Sequence, residues 1–124
     1  MLGYLTLGTW TLNIALGLRM HGIRRLPVGI VLAHAALALT GYAAWIVFLA
    51  SGRPVAVGWF AVAWLIVINA FGDAAVVRRW KKKADGGMGL VGTYVKRIKR
   101  PILLTHAVVA GVTTVLAALT VLGY

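Results

Sequence analysis

Twelve of the thirteen basic residues in this 124-residue chain fall in two stretches, and the sequence outside them is almost wholly apolar. Arg19, Arg24 and Arg25 form the first stretch. Arg78, Arg79, Lys81, Lys82, Lys83, Lys96, Arg97, Lys99 and Arg100 form the second, and only Arg53 lies elsewhere. Soluble domains carry about a quarter charged residues. This chain carries 12%, with 61% apolar residues and a mean hydropathy of +0.91. Within a bilayer no water satisfies the backbone, so each apolar run is expected to satisfy its own as a helix.

The runs cover about residues 2–18, 27–50, 55–77 and 101–122, and the first is only just long enough to cross. Pro27, Pro54 and Pro101 fall at or just before a run's start, where a missing N–H costs nothing. Ser51-Gly52-Arg53-Pro54 reads as a tight hairpin turn. The expected fold is an all-α membrane protein: one four-transmembrane-helix up-down bundle over residues 1–124, with basic connectors at 19–26 and 78–100. Positive loops stay inside, so both connectors face the cytoplasm and both termini lie outside. The setting is the cell inner (plasma) membrane, crossed several times. The N-terminus lacks the basic stretch of a cleavable signal, so the first span is expected to insert and stay. Tyr4, Trp59 and Tyr124 fit an outer aromatic belt and Trp80 an inner one.

Several functions are excluded. Without cysteine there are no thiolate metal sites, iron–sulfur clusters or covalent c-type haem. There is no glutamate and no Ser/His/Asp arrangement, so hydrolysis is not expected. The charge of +11 is an orientation signal rather than a nucleic-acid footprint. The glycine-rich connector 81–99 lacks the Lys-Ser/Thr of a phosphate loop and reads as linker. Its cations either set orientation alone or also touch anionic lipid or a partner.

Five polar residues sit inside the apolar runs at one depth. His34 follows Arg25 by nine positions and His106 follows Arg100 by six. Asp73 and Asn69 precede Arg78 by five and nine, and Asn13 precedes Arg19 by six. At 1.5 Å per residue they share a layer about 7–14 Å from the cytoplasmic edge. Ionisable residues inside a membrane are costly and usually functional. Each also has a plain role. Asn13 and Asn69 serve as hydrogen-bonding glue between helices, Asp73 as a partner for Arg78 or Arg79, and a lone histidine as a satisfied core group. His21 reads as a solvated connector residue. The two histidines together point to metal chemistry. In an up-down bundle the second and fourth spans are diagonal, too far apart to share a small ion but well placed to grip a flat ring. Glycines on the first and third spans would leave room: Gly3 and Gly17, then Gly58 and Gly72, each pair fourteen apart. Ile30-Val-Leu-Ala-His34-Ala and Ile102-Leu-Leu-Thr-His106-Ala also form a weak internal repeat.

This layout resembles the four-helix haem core of membrane b-type cytochromes, in which the second and fourth helices carry the haem ligands and glycines on the first and third make room. The resemblance covers the four spans, His34, His106 and the glycines. It implies one haem b with His34 and His106 as axial ligands, Gly17 and Gly72 beside the ring, and Asn13, Asn69 and Asp73 as supporting groups. Two-haem members carry a second histidine on each ligand helix. Here those places hold Val47 and Phe48, and Leu119 and Thr120. Arg19, Arg24, Arg25 and Arg78 are placed to pair with propionates. A bis-histidine iron carries electrons rather than oxygen, so the implied role is electron transfer near the cytoplasmic side, with a quinone, a redox partner or a larger membrane complex. Two other readings stand beside it: a small proton or divalent-metal transporter, working as a homodimer, and an accessory subunit without chemistry of its own.

Overall fold

The computed structural model describes residues 1–21, 28–81 and 100–124, with side chains over 1–20, 32–72 and 101–124. The connectors at 22–27 and 82–99 lie outside the described residues, and Arg24, Arg25, Pro27 and the cations from Lys82 to Lys99 with them. So do the side chains of His21, Asp73, Arg78, Arg79, Trp80 and Arg100.

Four helices make up the described chain: α1 (Leu2–His21), α2 (Val28–Ala50), α3 (Val55–Lys81) and α4 (Arg100–Val121). The prolines act as starts. Pro54 precedes α3 and its carbonyl accepts the N–H groups of Val57 and Gly58 at 3.0 and 3.1 Å. Pro101 is the second residue of α4. α1 and α3 run past their apolar stretches to His21 and Lys81. Hydropathy marks where apolar residues stop, whereas backbone hydrogen bonding continues through arginine and lysine, both good helix formers. His21 thus closes α1 instead of lying in a loop.

α2 and α4 end alike. Gly52 (φ 76°) and Gly123 (φ 93°) take the left-handed conformation. The N–H of Arg53 reaches back to the Phe48 carbonyl at 2.9 Å, and that of Tyr124 to the Leu119 carbonyl at 3.1 Å. This is the Schellman closure, which satisfies carbonyls the helix end leaves open.

Each helix packs on two neighbours, α1 on α4 and α2, α3 on α2 and α4, leaving α2 opposite α4 and α1 opposite α3. α1 and α2 form the loosest of these seams. Direction alternates. The Trp45 indole N–H, late in α2, donates to the Gly3 carbonyl, early in α1, at 3.1 Å. Gly58, early in α3, abuts Phe48 and Val121, late in α2 and α4. The early turns of α1 and α3 and the late turns of α2 and α4 therefore share one end, the capped end, and the clusters of cations flank the other, the basic end.

The capped half holds the core. Trp10, Trp45, Phe48, Ala61, Val62, Leu65 and Ala117 form one buried cluster. Outward, Leu12, Leu32, Val47, Ile66, Leu104, Val108 and Val115 are exposed, so the bundle is apolar inside and out. That composition suits lipid and would aggregate in water. Among the described residues three helices are long and apolar enough to cross a membrane, over Leu32–Ala50, Val55–Gly72 and Pro101–Val121. α1 is not among them: Thr6, Thr9, Thr11, Asn13 and three glycines dilute it.

Candidate functional site

α2 and α4 bring His34 and His106 together across the bundle, with ring centroids 6.5 Å apart and planes tilted by 57°. The diagonal packing produces this pairing: each histidine lies early in its helix, and both helices start at the basic end. His34 also lies nearly parallel to Phe71 of α3, with centroids 6.3 Å apart and planes 25° apart.

Two cavities flank the histidine pair. One, of about 230 Å³, lies towards α1 and α2 and is lined by Trp10, Asn13, Gly17, Leu39, His34 and His106 among others. The second, of about 140 Å³, lies towards α3 and α4, lined by Gly72, Leu103, Ala107, Gly111 and the same two histidines. Ile68 and Asn69 border both. The hollow part of the bundle therefore lies on either side of the imidazoles.

The two pairs of spaced glycines behave differently. A methyl group on Gly3 would fall 2.7 Å from Leu49, and one on Gly58 would fall 2.7 Å from Val121 and 2.9 Å from Phe48, closer than side chains pack. At the basic end, among the described residues, a methyl on Gly17 would meet the His106 Cε1 atom at 3.6 Å, an ordinary contact, and one on Gly72 would meet none within 4 Å. Side chains stopper the outer pair, whereas beside the inner pair the described residues leave room for a methyl. Phe48 and Thr120, noted in the sequence where a second pair of histidines would stand, are themselves buried.

The supporting polar groups separate into three cases. Asn69 donates from Nδ2 to the Thr114 hydroxyl at 2.9 Å, and Thr114 donates to the Ala110 carbonyl at 2.9 Å, a tie between α3 and α4 that meets α4 about two turns from His106 towards the capped end. The Asn13 Oδ1 atom is buried in the wall of the larger cavity and accepts no hydrogen bond from any described group. Asp73 lies on α3 one residue past Gly72, and its side chain is outside the described residues. Sequence reasoning missed Thr114 and Phe71. Thr114 is one of eight described threonines whose positions say nothing of their partners, and Phe71 looks like any apolar residue in a span.

Among the described residues no group of three or more His, Cys, Asp or Glu side chains could hold a metal ion. Among the described residues a bare ion would have two imidazoles and little else. A haem iron draws its equatorial ligands from the porphyrin and asks the protein for axial donors only. Two imidazoles binding one metal from opposite sides, at bonds of about 2.0–2.1 Å, hold their centroids about 6.3 Å apart. The 6.5 Å separation, the flanking cavities and the open inner glycines fit that group.

Fold and site define an all-helical protein with three helices able to cross a membrane and a hollow histidine pair at one end of the bundle. No protein-family model, curated protein or solved structure matches the chain.

Proposed function

We propose that this chain is a four-span membrane protein that holds one haem b between His34 and His106 and passes electrons near the cytoplasmic face. The observation that carries the reading is the histidine pair, spaced as two axial ligands and flanked by space on both sides.

Spanning by α1 is supported by the way it spends its polar groups. Thr6, Thr9 and Thr11 donate to carbonyls of their own helix, at 3.0, 3.1 and 2.8 Å, so these hydroxyls are satisfied without water. Exposed Tyr4, Trp59 and Tyr124 all lie at the capped end, as an interfacial belt requires. With twelve of the thirteen cations in the stretches that flank the opposite end and only Arg53 at this one, the termini face out and the histidine layer lies nearer the cytoplasm.

Bound there, haem would supply a one-electron couple, with His34 and His106 holding it. The chain's own residues hold, space and shield it. His34 and His106 offer one neutral nitrogen each. Gly17 and Gly72 keep side chains out of the space beside the imidazoles, and Trp10 and Leu65 close the layer above. The Asn69–Thr114 tie fixes α3 against α4 about two turns from His106. Arg19, exposed at the basic end, is the described cation placed to neutralise a propionate. Electrons would be exchanged with a quinol in the membrane or with a partner protein.

The test is a visible spectrum of the protein purified from haem-replete cells, before and after dithionite. A Soret band and sharp reduced α and β bands are expected, abolished or altered in His34→Ala and in His106→Ala, with helicity kept by circular dichroism. A colourless, helical, monodisperse preparation refutes the reading.

A further inference from the structure

We propose that Asn13 belongs to the binding site and not to the helix packing: its side-chain oxygen accepts a hydrogen bond from an O–H or N–H donor that is in place only when the larger cavity is filled. The occupant is the macrocycle of the haem reading, on which this role of Asn13 rests.

α1 turns one stripe inward. Thr6, Trp10 and Met20 are buried, and Trp10, Asn13 and Gly17 line the larger cavity. Steps of four, three, four and three positions keep these five residues on one helix face. A methyl on Gly17, one turn from Asn13, would lie 3.6 Å from the His106 Cε1 atom, so this face looks at the histidine pair. Polar side chains elsewhere in the described spans find partners inside the protein. All eight described threonine hydroxyls donate to a carbonyl of their own helix, and Asn69 donates to Thr114. The Asn13 Oδ1 atom is buried and accepts from no described group. The two asparagines of the chain therefore divide: Asn69 ties two helices, and Asn13 presents an unmet acceptor to a cavity. The Trp64 Nε1 atom is also buried without a partner, but Trp64 borders neither cavity. A buried acceptor left unmet lowers stability and calls for a donor that arrives from elsewhere. A mostly apolar cavity with a few converging polar groups is the ordinary form of a small-molecule site, its polar groups fixing how the ligand lies.

Asn13→Leu removes the oxygen at similar size, and Asn13→Ala removes it without crowding the cavity. Hemin is titrated into the haem-free parent and both variants in detergent, with the Soret band as readout, and haem-free unfolding is followed by tryptophan fluorescence. Both variants are expected to bind hemin about two- to tenfold more weakly than the parent. Haem-free Asn13→Leu is expected to unfold no more easily than the parent, whereas Asn69→Leu, which breaks a hydrogen bond between helices, shifts that equilibrium about threefold towards the unfolded state. Hemin dimethyl ester, which has no propionic acid, separates the two donors that the loaded site offers. A loss of affinity that persists with the ester assigns the donor to an N–H of an iron-held imidazole, and a loss that vanishes assigns it to a propionic acid O–H. Hemin affinity unchanged in either variant, as when water alone meets the oxygen, overturns the role of Asn13 and leaves the haem reading standing. So does a haem-free Asn13→Leu that unfolds as easily as Asn69→Leu. A parent chain that takes up no hemin overturns both.

Discussion

Adding one methyl group at each of two glycines of α3 separates the packed end of this bundle from the hollow end. Gly58→Ala places a Cβ 2.7 Å from Val121 Cγ2 and 2.9 Å from Phe48 Cε2. Phe48 cannot retreat: it is 2% exposed and packs on Trp45 with centroids 4.8 Å apart. Overpacking of this kind costs about 1–3 kcal/mol. Gly72→Ala places its Cβ where no described residue lies within 4 Å, so no such cost is expected. Both variants replace glycine by alanine in the same helix, a gain of about 1 kcal/mol in a helix interior, and this contribution largely cancels in the difference between them. Gly58→Ala should therefore be less stable than Gly72→Ala by about 1–3 kcal/mol, one to two decades in the unfolding equilibrium. Reversible unfolding of the haem-free protein in mixed micelles, followed by tryptophan fluorescence, measures that difference. Equal stabilities, or a more stable Gly58→Ala, would refute the claim that side chains stopper the outer glycine and not the inner one.

Other expectations follow from single contacts. Asn69→Leu removes the tie to Thr114 and should cost about 0.6 kcal/mol, the usual size of a hydrogen bond between membrane helices, read in the same unfolding assay. Trp45→Phe keeps the buried ring but removes the N–H donated to Gly3, with an expected loss of about 0.5–1.5 kcal/mol and increased hydrogen exchange in the first turns of α1. Gly52→Ala forces a side chain into φ 76° and should cost about 1–2 kcal/mol; Arg53→Gly, relieving φ 62°, should raise stability in thermal melts. Gly72→Phe fills the smaller cavity and should lower haem content per protein in pyridine haemochrome assays while leaving helicity intact; unchanged content would count against the cradle.

Much of the bundle was legible because lipid leaves so few options. Charge clusters and three prolines marked the helices to within a few residues, and the ends that moved, at His21 and Lys81, moved because hydropathy and backbone hydrogen bonding stop at different places. The His34–His106 pairing followed from equal depth and diagonal placement, both readable from spacing. The status of the glycines was not readable. Gly3, Gly17, Gly58 and Gly72 look alike in a sequence, and only the rotamers of Leu49, Phe48 and Val121 distinguish a filled notch from an open one. The partner of Asn69 was hidden for a similar reason: a threonine's hydroxyl bonds its own helix in any context, and whether it also receives a second helix's amide depends on rotation about both axes. α1 is the helix whose composition falls short of a span, because its threonines, Asn13 and glycines lower its hydropathy.

The two glycine closures act as rulers for the histidines. Gly52 follows His34 by eighteen positions and Gly123 follows His106 by seventeen, and each closure fixes where its helix stops. Inserting one residue between histidine and closure would swing that imidazole by about 100° around its axis and lift it by about 1.5 Å, taking it out of line with its partner. Length between histidine and closure is therefore a constraint as strict as the identity of the histidines, although every residue within it is an ordinary apolar or small one.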